Sequence, residues 1–100
     1  MYSIGFQVPA PVEAYKALHA AVQSVTDSAS EGLVVHVARP TDTGFEVIEI
    51  WQSKEHFERF MVETLPKAAA QLPPMGAGAP VGKEFDLCGL LVFAPEPIVI

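Results

Sequence analysis

Large apolar side chains alternate with small or polar ones along Tyr2-Ser3-Ile4-Gly5-Phe6-Gln7-Val8, the two-residue period of a strand with one packed face. Pro9 and Pro11 end it, and Pro11 suits the first turn of a helix, where a missing N–H costs nothing. The period then lengthens: Val12, Tyr15, Leu18, His19 and Val22 recur on one face and predict a first helix. Thr26 to Gly32, rich in Ser, Thr and Asp, reads as a loop. Leu33 to Arg39 and Phe45 to Trp51 read as the strands of a hairpin turned by Pro40-Thr41-Asp42-Thr43-Gly44. Ser53 is a good N-cap with Glu55 in the first turn behind it. Phe57, Phe60, Met61, Thr64 and Leu65 then hold the spacing of one buried helical face. Pro66 interrupts this second helix, and Lys67 to Leu72 can restart as a short helical piece with Pro66 in its first turn. Pro73 to Gly82, all Pro, Gly, Ala and other uncharged residues, reads as a loop, either a flap over a pocket or a plain connector. Phe85 to Phe93 reads as the fourth strand. Ile98-Val99-Ile100 is an apolar tail that needs a surface to lie against.

Strand, helix, strand, strand, helix, strand is the split βαβ order. It predicts an α+β, ferredoxin-like domain: a four-stranded antiparallel sheet with both helices on one face. The other sheet face then needs a cover, and a second copy packed sheet to sheet supplies one, giving a homodimeric α/β barrel.

Composition sharpens this expectation. One hundred residues make one domain, residues 1–100, in which half the residues are apolar, 18% are charged and the mean hydropathy is +0.30. That is more apolar surface than one small core hides, which again favours a homodimer. Six Lys and Arg against twelve Asp and Glu give a net charge of −6, the wrong sign for a phosphate backbone, so nucleic acid is not expected as a partner. Cys88 stands alone in an apolar run and reads as a small buried hydrophobe. The first residues lack a basic segment before an apolar one, and the apolar run from Leu87 to Ala94 is too short to span a bilayer. The expectation is a cytoplasmic protein with no membrane partner.

The chain from Phe45 to Phe60 carries more than architecture. It runs an alternating strand through Glu49-Ile50-Trp51, with the only tryptophan, into a Ser53-capped helix bearing Phe57 and Phe60. With the element order, this stretch resembles the dimeric α/β barrel superfamily, and within it the antibiotic-biosynthesis-monooxygenase-like domains. The resemblance covers nearly the whole chain in topology, with its sequence signature between Gly44 and Leu65. It implies a barrel-forming dimer and, among the activities of the family, cofactor-free oxygenation of polycyclic aromatic or quinol substrates. It also implies that Trp51 lines a ligand cavity. Active members often carry an asparagine on the first strand, where this chain offers Gln7. Haem-degrading members carry a histidine on the second helix, where this chain has Phe60 and Met61, so haem degradation is not expected.

The residues supply a candidate site of their own. If the Thr41 to Gly44 turn sets Pro40 against Phe45, then Ala38 faces Val47, His36 faces Glu49 and Val34 faces Trp51. Val35, Val37, Ile48 and Ile50 fall on the opposite face, with Arg39 across from Glu46 at its rim. One face is therefore apolar and the other gathers His36, Glu49 and Trp51, to which the first strand could add Gln7. An imidazole oriented by a carboxylate can take a proton from a phenol or enol, and such a base beside an aromatic wall is what a cofactor-free oxygenase requires. In that reading His36 is the base, Glu49 its orienting partner, Trp51 the wall and Gln7 a donor to the developing oxyanion. Phe57, Phe60 and Met61 are core residues first and line the pocket where one exists. The alternative is that His36 and Glu49 merely satisfy each other, in a non-catalytic dimeric module that binds a small apolar or aromatic molecule or assembles with another protein. His19 is expected to edge the buried face of the first helix and His56 to lie in the exposed first turn of the second. No histidine spacing predicts a metal site, no glycine-rich loop predicts a nucleotide, and no cofactor is implied.

Overall fold

The computed structural model describes residues 1–25, 31–72 and 80–93. Strand β1 (Tyr2–Val8), helix α1 (Val12–Val25), the hairpin β2 (Leu33–Thr41) and β3 (Gly44–Trp51), helices α2 (Lys54–Arg59) and α3 (Leu65–Ala69), and strand β4 (Val81–Glu84) follow one another along the chain. The sheet order is β2-β3-β1-β4, and every neighbouring pair is antiparallel. The expected ferredoxin-like α+β arrangement is therefore present, with the helices on one face.

The parity of the strands decides what the helices cover. Tyr2, Ile4, Phe6 and Val8 pair across β1 and β3 with Trp51, Glu49, Val47 and Phe45 and so share their face. On that face Ile4, Trp51 and Phe57 form one buried cluster, with Tyr2, Phe6, Leu33, Phe60 and Met61 packed against it. Ala10, Phe45 and Val47 form a second, joined by Ala14, Tyr15 and Ala38. Trp51 has no exposed surface. Removing roughly 200 Å² of tryptophan from water contributes about 5 kcal/mol of hydrophobic free energy as an upper value, which makes this residue the anchor of the layer. Ala21 of α1 and Ala68 of α3 are the one buried residue of each helix, small enough to let the two helices pack together. The opposite face carries Val35, Val37, Ile48 and Ile50, of which Val37 remains half exposed.

The hairpin register follows the expectation from Pro40↔Phe45 through Ala38↔Val47 and His36↔Glu49 to Val35↔Ile50. It departs at the next step, where Leu33 rather than Val34 pairs with Trp51. Val34 is the extra residue of a β-bulge, which returns Leu33 to the helix-covered face, where it packs against the tryptophan cluster. Gly32, at φ +83, starts the strand, and its carbonyl accepts from Gln52 N–H at 2.7 Å.

The second helix also departs from a simple reading. Between α2 and α3 the backbone stays helical through a π-helical turn, Phe60–Thr64, in which Leu65 N–H bonds to Phe60 C=O five residues back. Proline lacks an N–H, and its ring collides with the carbonyl four residues earlier. Widening the turn just before Pro66 lets the chain continue into α3 instead of stopping.

The fourth strand is not Phe85 to Phe93. It is Val81–Glu84, set antiparallel on the free edge of β1 from Gln7↔Val81 to Ile4↔Glu84, and all four residues are exposed. An edge strand is held by backbone bonds and needs no apolar face; Lys83 and Glu84 suit its exposure. Phe85 extends the pairing by one step, bonding Ser3 through its N–H at 3.2 Å and accepting from the Ser3 hydroxyl through its carbonyl. Beyond it the apolar stretch makes no ladder, and Leu91, Val92 and Phe93 are exposed, as is Cys88, which is therefore not the buried thiol expected. Most of the expected 73–82 loop and the 98–100 tail lie outside the described residues, except that Val81 and Gly82 belong to β4.

Candidate functional site

A chain of polar side chains runs between the sheet and α1. The β2–β3 register sets His36 directly across from Glu49, and His36 Nδ1 lies 2.9 Å from Glu49 Oε2. The other carboxylate oxygen of Glu49 accepts from Trp51 Nε1–H at 3.4 Å. Glu49 is buried, and a buried carboxylate is stable only when its oxygens are bonded, which these two partners accomplish. Both neighbours are set by parity: Trp51 is two residues along the same strand, on the same face.

Helix α1 brings the third member. Tyr15 packs its ring edge-on against Phe45, at 5.3 Å between centroids, and its hydroxyl lies 2.7 Å from His36 Nε2. With Nδ1–H of His36 donating to the Glu49 carboxylate, Nε2 is left as an acceptor for the Tyr15 O–H. One hydroxyl, one imidazole and one carboxylate therefore stand in line. Burial, and secondarily the negative charge of Glu49, pushes the Tyr15 phenol above its ordinary value, so it retains its proton. His19, one turn along α1, stacks on both rings, 5.4 Å from Tyr15 and 5.8 Å from His36. Its Nδ1 lies 3.4 Å from the Tyr15 oxygen and its Nε2 3.4 Å from Gln23 Nε2.

Of the residues expected at the site, His36, Glu49 and Trp51 come together. Gln7 does not join them. It pairs with Glu46 on the opposite face of the sheet, where its amide bonds the carboxylate that also takes Arg39 Nε–H at 2.7 Å. Gln7 lies between Phe6 and Val8, so the alternation that puts those two over the helices turns Gln7 away. The guanidinium hydrogen bond of Arg39 holds the Glu46 carboxyl below its ordinary range. Phe57 is buried and Phe60 half-buried, each against the Trp51 ring at 6.0 and 5.4 Å, and Met61 packs on the same cluster. Trp51 is thus enclosed by side chains, and its polar edge is spent on Glu49. Two shallow, solvent-open concavities among the described residues lie along β1 and the segment after β4, lined by Met1, Ser3, Phe85 and Asp86 among others, and neither includes His36. His56 belongs to the cap of α2: its backbone N–H donates to Ser53 Oγ at 3.2 Å, and its Nδ1 lies 2.7 Å from the same oxygen.

Tyr15 and His19 are the members that sequence reasoning left out of the site, reading His19 only as an edge of the first helix's buried face. Their signal was present, since they sit four apart on the predicted buried face of the first helix, where polar tips need a partner. Among the described residues no group of three or more His, Cys, Asp or Glu is arranged to hold a metal ion. No helix of the described residues is long and apolar enough to cross a membrane.

These features define a split-βαβ domain with a hydroxyl–imidazole–carboxylate line beneath its first helix. No protein-family model and no curated protein matches the chain. Solved structures do. A single-residue variant of MhuD, crystallised with two manganese protoporphyrin IX molecules per active site, is similar over 91% of this chain and 98% of its own, with a TM-score of 0.61 and 19% identity. A candidate antibiotic biosynthesis monooxygenase from Deinococcus radiodurans is similar over 94% and 99%, at 0.61 and 10% identity. SnoaB, a cofactor-independent oxygenase from Streptomyces nogalater, is similar over 95% of both chains, at 0.56 and 19% identity. The chain therefore shares the fold of these three structures.

Proposed function

We propose that this protein is a cofactor-independent monooxygenase that acts, as a homodimer, on a small aromatic or quinol-type substrate by base-assisted deprotonation. The observation that carries the reading is the Glu49–His36–Tyr15 line, which pairs a buried carboxylate with an imidazole and sets the imidazole against the Tyr15 hydroxyl. The reaction needs little else from the protein. Loss of a proton makes the substrate an electron-rich anion, the anion passes an electron to dioxygen, and the two radicals combine into a peroxide. The peroxide recovers the proton held by the base and leaves a carbonyl on loss of water. General-base assistance of this kind contributes about 10²- to 10⁴-fold.

Glu49 orients His36 and balances the charge it gains; Trp51 acts through Glu49 as a positioning residue. Gln7 has no place in this mechanism. Haem is assigned no role in this reading. SnoaB, with the same fold, is a cofactor-independent oxygenase, which supports the assignment. The exposed Val37, Leu91, Val92 and Phe93 support a second copy as the cover for the open side of the sheet.

One observation favours a second reading, a non-catalytic dimeric module that binds a small molecule or assembles with another protein: the space around Trp51 is filled by Phe57 and Phe60. The two readings separate in one experiment. Purified protein is given small hydroquinones and naphthols without added cofactor, and oxygen uptake is followed beside native mass spectrometry. Uptake by a dimer, reduced at least about 100-fold in His36→Ala, supports the oxygenase. A ligand-carrying dimer with no oxygen uptake supports the module.

A further inference from the structure

Neither ring nitrogen of His36 is free. Nδ1 faces Glu49 at 2.9 Å and Nε2 faces Tyr15 at 2.7 Å, both ordinary hydrogen-bond distances. A base whose lone pair is already engaged cannot also meet a substrate hydroxyl. The Tyr15 oxygen can: it donates its one proton to His36 and, with His19 Nδ1 beside it at 3.4 Å, still keeps a further acceptor position.

We propose that Tyr15 is the group that receives the substrate proton: its oxygen accepts that proton while its own O–H proton passes to Nε2 of His36. This rests on the oxygenase reading above and assigns that site a catalytic residue. The step balances. The substrate O–H bond breaks and a new O–H bond forms on Tyr15; the old Tyr15 O–H bond breaks and an N–H bond forms on His36. The substrate is left with the negative charge and the imidazole with the positive one, beside Glu49. No tyrosinate has to exist at rest, which agrees with a phenol held neutral by its burial and by the nearby carboxylate. The ring has little freedom to turn aside: Phe45 meets it edge-on at 5.3 Å, and His19 and His36 stack on it at 5.4 and 5.9 Å. Proton transfer through a fixed phenol therefore fits better than a phenol that swings away to expose Nε2. His19 Nδ1, 3.4 Å from the same oxygen, borders the place where the substrate hydroxyl would sit.

The test uses 4-nitrophenol, whose phenolate absorbs in the visible and whose phenol does not, with the intact protein at a pH below the probe's own pKa. The wild-type protein is expected to generate bound phenolate. Tyr15→Phe, which keeps the ring and removes only the relay oxygen, is expected to lower that signal at least tenfold, as is His36→Asn. If Tyr15→Phe ionises the probe as well as the wild type or better, the phenol merely occupies the substrate position; the relay is then overturned while the base reading survives. If the wild-type protein forms no bound phenolate, the base reading fails and the relay falls with it. Nitrogen NMR of the imidazoles tests the link without any probe. The His36 Nε2 resonance is expected to move in Tyr15→Phe, and an unmoved resonance overturns the relay whatever the absorbance shows.

Discussion

Replacing His36 by alanine removes the hydrogen bond to Glu49 Oε2 and leaves a buried carboxylate with Trp51 Nε1–H as its remaining described partner. A hydrogen bond to a charged group contributes about 1.5–3 kcal/mol, and an unsatisfied buried acceptor costs more than the mean. The His36 side chain is 25% exposed, so water reaches part of the gap and the middle of that range applies, about 2 kcal/mol. In a domain of this length that lowers the melting temperature by roughly 10 °C. The single substitution also loses ring stacking against Tyr15 and His19, so the pair is isolated by a double-mutant cycle with Glu49→Gln. With the charge at position 49 removed, the added cost of His36→Ala is expected to fall by at least about 1 kcal/mol. Urea denaturation at fixed protein concentration measures all four proteins, concentration being held because association would shift stability by mass action. Additive effects within about 0.3 kcal/mol would mean that the imidazole and carboxylate are neighbours without being partners, and the site would lose its orienting residue.

Two further outcomes follow from the same geometry. Gly32→Ala places a Cβ 2.3 Å from His56 Cγ at a φ of +83, so the left-handed strain of about 1–2 kcal/mol adds to displacement of the Ser53 cap. Urea unfolding is expected to show a loss of roughly 2–3 kcal/mol, partly recovered by adding His56→Ala; a stability equal to wild type would contradict the close approach. Tyr15 has a folded-state pKa raised above its unfolded value, so its contribution is complete below about pH 10 and is lost as pH rises through the raised value. Thermal melts from about pH 8 to 11 are expected to fall more steeply for wild type than for Tyr15→Phe, and parallel curves would remove the burial argument.

Much of the site was readable because strand parity is a strict rule. Once the Thr41 to Gly44 turn is set, His36 must oppose Glu49, and the structure keeps that pairing. The same rule should have removed Gln7, since Phe6 and Val8 are the apolar members of β1 and Gln7 lies between them. Tyr15 and His19 were placed on the correct helical face, but the side chains beneath that face depend on how α1 docks, which helical periodicity does not report. β4 was misplaced for a different reason. Apolar alternation detects strands that bury a side, whereas Val81–Glu84 pairs through its backbone with every side chain exposed. The π turn likewise left no hydrophobic signature; only Pro66 marked it, and a proline equally well ends a helix.

The extra residue at Val34 shifts the phase of β2. Downstream of it odd-numbered positions face away from the helices; upstream of it Leu33, also odd, faces toward them. The pairs Leu33↔Trp51 and Val35↔Ile50 would become consecutive rungs of an unbroken ladder if Val34 were excised, with His36 still opposite Glu49. A relative one residue shorter here could therefore present the same inner surface. Position-by-position alignment that overlooks the gap would match inward residues of one chain to outward residues of the other, lowering the apparent identity between two proteins whose cores agree.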